Sequence, residues 1–139
     1  MKKIIFILII LTANNVIIAE QNSKFFSEIE EILPAKEVFK ITILENNKNL
    51  EINWNIQEGY YLYLDSVGIE IDKNKGKYKI ISANLYDHED EFFGKTKIIR
   101  NKLKISINNL EISDNKEINI YYQGCSDKGF CYPVQNLKI

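Results

Sequence analysis

The chain has 139 residues, of which 27% are charged, and a formal net charge of −1, so it is long enough for one globular domain with a real core. A mildly acidic chain without a basic cluster argues against nucleic acid as a partner. Two cysteines, one histidine and only the initiator methionine make an incomplete donor set for zinc or copper, so we expect neither a metal nor another cofactor.

The first 19 residues have the pattern of a secretory signal peptide. Lys2 and Lys3 form a positive start, residues 4–11 are an unbroken apolar run, and Ala19 is a suitable last residue before cleavage. The alternative is an uncleaved membrane anchor, but the apolar run is too short to span a bilayer comfortably. Cleavage would change the formal net charge from −1 to −3, because it removes two lysines and no acid.

Residues 20–33 are predicted to form a short helix or an ordered arm. Apolar residues at positions 25, 26, 29, 32 and 33 follow helical spacing, and Ser23 is a possible N-cap. Pro34 would end this helix. We therefore place the main domain at residues 34–139.

Beyond Pro34 the apolar residues recur with a period of two, which is typical of strands with one buried and one exposed face. The clearest runs are residues 50–56, 67–71, 103–107 and 118–122, and further candidates lie around 38–44, 60–64, 78–85 and 97–100. Seven or more short strands separated by turn residues predict an all-β fold, an immunoglobulin-like antiparallel β-sandwich. A small barrel is the alternative.

Both cysteines lie close to the C-terminus, at Cys125 and Cys131, between glycines and aromatic residues. If residues 118–122 form a strand and Cys131 opens the next one, the cysteines lie at the base of a hairpin, where they are close enough to bond. Gly124 and Gly129 would allow the tight turns. Closing so short a loop stabilises the fold by only about 2–2.5 kcal/mol. Two interpretations stay open: a structural disulfide, or a reversible pair that a partner's thiolate attacks.

The cysteine segment, YQGCSDKGFCYP at residues 122–133, closely resembles that of the N-terminal periplasmic domain of the thiol:disulfide interchange protein DsbD. Three other segments resemble the same family in the same order. They are LPA and VF within residues 33–39, WNI through GYYLY at 54–63, and HEDEFFG at 88–94 followed by IR at 99–100. The resemblance covers roughly residues 32–139.

This resemblance implies an immunoglobulin-like domain that takes electrons from a thioredoxin-like donor. It passes them to exported thioredoxin-like acceptors, such as the disulfide isomerase and the proteins of cytochrome c maturation. It implies that Cys131 forms mixed disulfides, that Cys125 resolves them, and that Phe92 on a cap loop shields the disulfide. Tyr61 and Tyr63 would line the active site. The protein would then be periplasmic and a component of a protein-disulfide reductase.

The sequence also departs from the family. Full-length members continue into a membrane electron carrier and a thioredoxin domain, whereas this sequence ends at Ile139. We expect a separate subunit served by other chains, a redirected paralogue or a truncated remnant. Phe93 replaces a common tyrosine, and Asp65 replaces a residue that is often basic, which puts details of the partner surface in doubt.

The acidic residues of the predicted cap loop have two interpretations. Carboxylates disfavour a neighbouring thiolate, so Asp90 and Glu91 would raise the pKa of a nearby cysteine thiol and make the free domain a slow nucleophile. The other interpretation is a solvent-exposed acidic turn. His88 lies in the same segment without a nucleophile motif nearby, which argues against a hydrolase. The competing function for the whole chain is an exported binding module with a structural hairpin disulfide.

Overall fold

The computed structural model describes residues 32–45, 49–91, 93–108 and 116–139. Residues 33–139 form one compact unit, and of the preceding unit only Ile32 is described. The predicted signal peptide (1–19) and nearly all of the predicted arm (20–33) therefore lie outside the described residues. Within the described part, no helix has the length and apolar character needed to cross a membrane.

Strands dominate the described residues. A four-residue helix, α1 (Ala35–Val38), begins directly after Pro34, and a short 3-10 helix spans Leu64–Ser66. Proline is compatible with a helix start because its fixed φ and missing N–H cost nothing there, so Pro34 precedes a helix in the structure. The strands are, in chain order, β1 (Phe39–Glu45), β2 (Asn49–Ile56), β3 (Tyr60–Tyr63), β4 (Gly68–Ile71), β5 (Asn74–Lys75), β6 (Lys79–Asp90), β7 (Gly94–Asn108), β8 (Ile118–Tyr122), β9 (Gly124–Ser126) and β10 (Gln135–Lys138).

The strands form two antiparallel sheets. The first has the order β1-β2-β7-β3-β9, with β6 along the other edge of β7, and the second has the order β10-β8-β4-β5. The predicted immunoglobulin-like β-sandwich is confirmed. The eight predicted strand segments all fall on strands of the structure, with 97–100 and 103–107 joined in the single strand β7.

The main core lies between the sheets. Ile52 and Ile105 of the first sheet and Ile120 of the second have no exposed surface, and Ile69 is 2% exposed. All four belong to one apolar cluster. Burying each such side chain stabilises the fold by about 1.5–3 kcal/mol. The period of two in the sequence reflects this core, because alternate side chains of a strand point to opposite faces.

Strand β7 changes partner in its middle. Its second half pairs with β2, and Ile98 and Ile99 in its first half pair with β3. At the change, Asn101 has a φ of 62°, and the pairing with β6 skips two residues of β7. Asparagine tolerates this left-handed conformation better than most residues. The irregularity lets one long strand hold together the two parts of the first sheet.

The chain crosses from one sheet to the other at Gln123. Strand β8 belongs to the second sheet, whereas β9 pairs with β3 of the first. The Gln123 N–H donates a hydrogen bond of 2.9 Å to Ser66 Oγ, which fixes the crossing. Cys131 forms an isolated antiparallel bridge with Cys125, as expected at the base of a hairpin, but it opens no strand, and the next strand after it starts at Gln135. Pro133 explains this, because it cannot donate a hydrogen bond to a sheet.

Candidate functional site

Cys125 and Cys131 form a disulfide with an S–S distance of 2.06 Å and a Cα–Cα distance of 4.0 Å. Cys125 lies on β9 and pairs across to Tyr61 of β3, with no exposed surface. Cys131 is half-buried and pairs with Cys125 in an isolated β-bridge outside the named strands. One sulfur is thus held inside the first sheet, and the other lies on a loop at its rim.

Gly124 lets β9 approach β3 closely. A Cβ atom at this position would lie 2.3 Å from the Tyr61 carbonyl oxygen and 2.6 Å from Phe39 Cζ. The predicted turn role of Gly124 is wrong, because its φ is not positive. Glycine is needed here because a larger residue would not fit between β9 and β3. Gly129 has a φ of 84° and fits its predicted role in a turn. Gly124 therefore sets the depth at which Cys125 is buried.

Tyr61 and Tyr63 pack on the disulfide side of the first sheet. Because side chains alternate along β3, these two tyrosines join a second cluster with Ile98 and Cys125, while Leu62 joins the main core. The Tyr63 hydroxyl oxygen lies 3.4 Å from Cys125 Sγ. Burial, and then the neighbouring Asp90 carboxylate, raise the pKa of Tyr63, so its hydroxyl stays protonated.

Asp90 organises the polar side of this cluster. Its Oδ2 accepts a hydrogen bond of 2.5 Å from the Tyr63 hydroxyl, and its Oδ1 accepts one of 2.7 Å from the Phe93 N–H. His88 Nε2 lies 3.3 Å from the same Oδ2. The Phe93 ring packs against Tyr63 with 4.3 Å between the ring centroids. Since β6 continues to Asp90, His88 and Asp90 lie on a strand and not in a loop.

A small cavity gives access to this cluster. Its volume is about 290 Å³, and its lining includes Tyr61, Tyr63, Asp90, Glu91 and Cys131, but not Cys125. A molecule that enters the cavity therefore meets Cys131 and not Cys125.

An ion pair ties the segment between the cysteines to β7. Arg100 Nη1 and Nη2 donate hydrogen bonds of 3.0 and 2.7 Å to the two carboxylate oxygens of Asp127. The guanidinium also lies 5.2 Å from the centroid of the Tyr61 ring. The hydrogen bonds that Arg100 donates to Asp127 raise the pKa of Arg100. A buried neighbour of Cys125 and the loop that carries Cys131 are thus joined through one side chain.

The structure brings most of the residues predicted for the site together. Both cysteines, Tyr61, Tyr63 and Asp90 form one group, and Glu91 is exposed at its rim. Phe92 lies outside the described residues. Among the described residues, no group of three or more His, Cys, Asp or Glu side chains could hold a metal ion.

Sequence reasoning missed four residues of this group, namely His88, Phe93, Arg100 and Asp127. All four lie in segments that carry the resemblance, but none was given a role at the cysteines: Phe93 was considered only as a departure at the partner surface, and His88 for metal or hydrolytic chemistry. An acid between two cysteines and an arginine on a distant strand carry a weak signal in sequence, because their pairing depends on the bulge in β7. Their position at the site is a tertiary effect.

Comparison with known proteins agrees with this geometry. The family model described as "Thiol:disulfide interchange protein DsbD, N-terminal" matches residues 30–139. The DsbD protein of Pasteurella multocida is 37% identical over 136 residues, which is 97% of this chain and 22% of that protein. The DsbD protein of Escherichia coli K12 is 33% identical over 105 residues, which is 76% of this chain and 18% of that protein. The chain thus spans about a fifth of the length of the curated relatives that it matches.

Solved structures share the fold. The reduced DsbD N-terminal domain of Neisseria meningitidis superposes with a TM-score of 0.68 at 22% identity, covering 78% of this chain and 87% of that one. The complex of the Neisseria meningitidis DsbD and PilB N-terminal domains gives a TM-score of 0.64 at 20% identity, covering 78% of this chain and 86% of the matched one.

Proposed function

The chain belongs to the family of DsbD N-terminal domains, and on this premise we propose that it is a thiol–disulfide exchange domain. Its redox centre is the Cys125–Cys131 pair. The observation that carries the proposal is the asymmetry of this disulfide, because Cys125 is fully buried whereas Cys131 is half-buried and lines a cavity. Exchange requires one sulfur that an attacking thiolate can reach. A structural disulfide has no such requirement.

Exchange through this pair takes two displacement steps. In the reduced domain, the Cys131 thiolate attacks a disulfide sulfur of the acceptor, whose second sulfur leaves as a thiolate. The Cys125 thiolate then attacks Cys131 Sγ, expels the acceptor's remaining sulfur and restores the Cys125–Cys131 bond. Two electrons and two protons pass in balance from the domain to the acceptor. Reduction of the domain by a dithiol donor is the same sequence in reverse and begins with attack on Cys131.

Tyr63 and Asp90 favour the protonated form of the resolving cysteine. The Tyr63 hydroxyl gives its hydrogen to Asp90, so its oxygen faces Cys125 with a lone pair. A Cys125 thiol can donate to this oxygen, whereas a thiolate would meet a lone pair backed by a carboxylate. Asp90 and Glu91 also line the cavity with Cys131, so carboxylates lie near both cysteines. This supports the expectation that the free domain is a slow nucleophile and becomes reactive when a partner changes these surroundings.

The proposed gate is Phe92, through its resemblance to the aromatic residue on the family's cap loop. Phe92→Ala should speed reduction of the disulfide by a small thiol such as dithiothreitol. Leu44→Ala is the control for loss of an exposed apolar side chain, because Leu44 is 52% exposed on β1, at the opposite end of the first sheet from β9. Equal rates for Phe92→Ala and the unmodified protein would count against the gate.

We propose exported thioredoxin-like proteins, of the disulfide isomerase or cytochrome c maturation type, as the acceptors. The solved complex of a DsbD N-terminal domain with a PilB domain supports a protein as the exchange partner. A separate membrane electron carrier or a thioredoxin-like protein would be the donor. In this arrangement the chain is one component of a protein-disulfide reductase, located in the periplasm after cleavage near Ala19, with residues 34–139 as its redox domain.

Trapping tests the proposal directly. A Cys125→Ala variant should accumulate mixed disulfides through Cys131 with an exported thioredoxin-like protein, whereas Cys131→Ala, the matched control, should accumulate far fewer. The reduction potential gives a second test, because a structural disulfide lies below roughly −300 mV. A lower potential together with the absence of trapped partners would leave the alternative, an exported binding module, which the family comparisons do not favour.

A further inference from the structure

Asp127 ties the loop between the cysteines to two other parts of the domain. Besides the ion pair with Arg100, the Asp127 N–H donates a hydrogen bond of 2.8 Å to the Gly59 carbonyl. Three other hydrogen bonds close the loop on itself. Their donors are Ser126 N–H, to the Phe130 carbonyl at 2.8 Å, Gly129 N–H, to the Ser126 carbonyl at 3.0 Å, and Lys128 N–H, to Ser126 Oγ at 3.1 Å. Internal bonds hold the shape of the loop, and Asp127 adds to the pairing of Ser126 with Tyr60 in fixing its position on the sheet.

The bulge in β7 brings Arg100 to this position. Pairing with β6 jumps from Ala83–Leu103 to Asn84–Arg100, and Asn101 takes a left-handed conformation in the gap. Bulges of this kind redirect side chains, often next to active sites. A left-handed residue and a two-residue slip in a strand cost free energy, and a solvent-exposed arginine would not require them. The bulge is explained if its effect is to place the Arg100 guanidinium beside Asp127.

Arg100 also contacts a neighbour of Cys125. Its guanidinium lies over the ring of Tyr61, which is the sheet neighbour of Cys125. The side chains of Arg100 and Asp127 are 29% and 47% exposed, so the pair is partly shielded from water but still accessible to salt. We call the Arg100–Asp127 pair, with its contact to Tyr61, the loop latch.

We propose that Arg100 is a positioning residue for thiol–disulfide exchange, and that the loop latch keeps Cys131 within reach of Cys125 when the bond between them is open. This inference rests on the proposed function. While the disulfide is closed, the covalent bond already fixes the loop. After reduction, the latch and the loop's backbone hydrogen bonds keep it in place. The latch therefore acts on the reduced domain and on the mixed disulfide.

The step affected is resolution, in which the Cys125 thiolate attacks Cys131 Sγ, the new S–S bond forms, and the partner's sulfur leaves as a thiolate. A loop that swings away lowers the effective concentration of Cys131 around Cys125. The same loss applies to the equilibrium in which the dithiol and oxidised glutathione give the disulfide and two molecules of glutathione. Loss of the latch should lower that equilibrium constant about fivefold. The effect is no larger because a partly exposed ion pair and a cation–π contact each contribute only a modest stabilising free energy. A fivefold change is about 20 mV toward easier reduction.

The experiment measures this equilibrium constant with glutathione, and the rate at which a Cys131–glutathione mixed disulfide closes. Arg100→Met keeps much of the apolar stem and removes the fork, Asp127→Asn removes the charge of the partner, and Arg100→Lys keeps the charge without the fork. Ile69→Val, in the core of the second sheet, is the control for a general loss of stability. The unmodified protein is also measured in 1 M salt, which needs no mutation.

Arg100→Met and Asp127→Asn should each lower the equilibrium constant and slow closure about fivefold, with Arg100→Lys in between. Ile69→Val should change neither quantity. High salt should lower the equilibrium constant and the closure rate of the unmodified protein toward those of the variants. It should leave both quantities unchanged in Arg100→Met. Values for both latch variants within a factor of two of the unmodified protein would overturn the latch, and so would salt independence. If the unmodified protein exchanges neither with glutathione nor, through Cys131, with a thioredoxin-like protein, the proposed function fails.

Discussion

Replacing Gly124 with alanine tests whether close approach of β9 to β3 sets the geometry of the cysteine pair. The added methyl group would lie 2.3 Å from the Tyr61 carbonyl oxygen, 2.6 Å from Phe39 Cζ and 2.9 Å from Leu62 Cδ2. The first of these atoms belongs to the backbone of a central strand and cannot rotate away. Relief to an ordinary contact of 3.4 Å requires β9 to move by about 1 Å.

The expected cost follows from that displacement. Overpacking of a filled core costs about 1–3 kcal/mol, and one weakened hydrogen bond between β3 and β9 adds about 1 kcal/mol. Lower chain entropy in the unfolded state offsets about 0.4–1 kcal/mol. We therefore expect Gly124→Ala to reduce the free energy of unfolding of the oxidised domain by about 1–3.5 kcal/mol. The shift should also carry Cys125 away from the Tyr63 hydroxyl and make the disulfide easier to reduce.

Urea unfolding of the oxidised domain measures the first effect, and a glutathione titration measures the second. Gly68→Ala is the matched control, because its new methyl group would meet only Tyr121 Cβ, at 4.0 Å, and Gly68 does not need a positive φ. The control should stay within about 0.5 kcal/mol of the unmodified protein or be slightly more stable. The reasoning is refuted if Gly124→Ala costs no more stability than Gly68→Ala.

Three further outcomes follow from the site. In the reduced domain, iodoacetamide should modify Cys131 at least about tenfold faster than Cys125, because only Cys131 lines the cavity; peptide mapping checks this, and equal rates would contradict it. Asp90→Asn should speed alkylation of the reduced domain at pH 7 about two- to fivefold by removing a carboxylate; an unchanged rate would argue against that electrostatic role. Burial raises the pKa of Tyr132 to about 12, so this buried tyrosine contributes stability that is fully present below pH 10 and is lost as the pH rises to 12. Between pH 10 and pH 12, the free energy of unfolding of Tyr132→Phe should therefore fall by about 2 kcal/mol less than that of the unmodified domain. Urea unfolding measures this, and equal falls would contradict the raised pKa.

Much of the fold could be predicted from the sequence, because a sheet with one buried face imposes a period of two on its residues. The runs around Ile52, Ile69, Ile105 and Ile120 indicated strands, and the same four side chains form the core. Pairing partners could not be obtained in this way. The period gives the face of each residue but leaves open which strand lies beside it, and it gave no sign that the chain would change sheets at Gln123.

The candidate site was predictable where its residues are adjacent in sequence or part of a recognisable motif. Cys125 and Cys131 stand out by spacing, and resemblance added Tyr61, Tyr63 and Asp90. The links between them depend on positions far apart in the chain. Tyr63 reaches Asp90 across 27 residues, and Arg100 reaches Asp127 across another 27.

The sequence by itself determined that this is a β-rich domain with a cysteine pair on a short loop, since alternation, turn residues and cysteine spacing are local properties of the chain. Only the tertiary structure decided which sulfur is buried, which carboxylate meets Tyr63, and which arginine holds the loop. Those contacts arise when β3, β6, β7 and β9 come together. Their geometry depends on a bulge at Asn101 and a close approach at Gly124, which act through space.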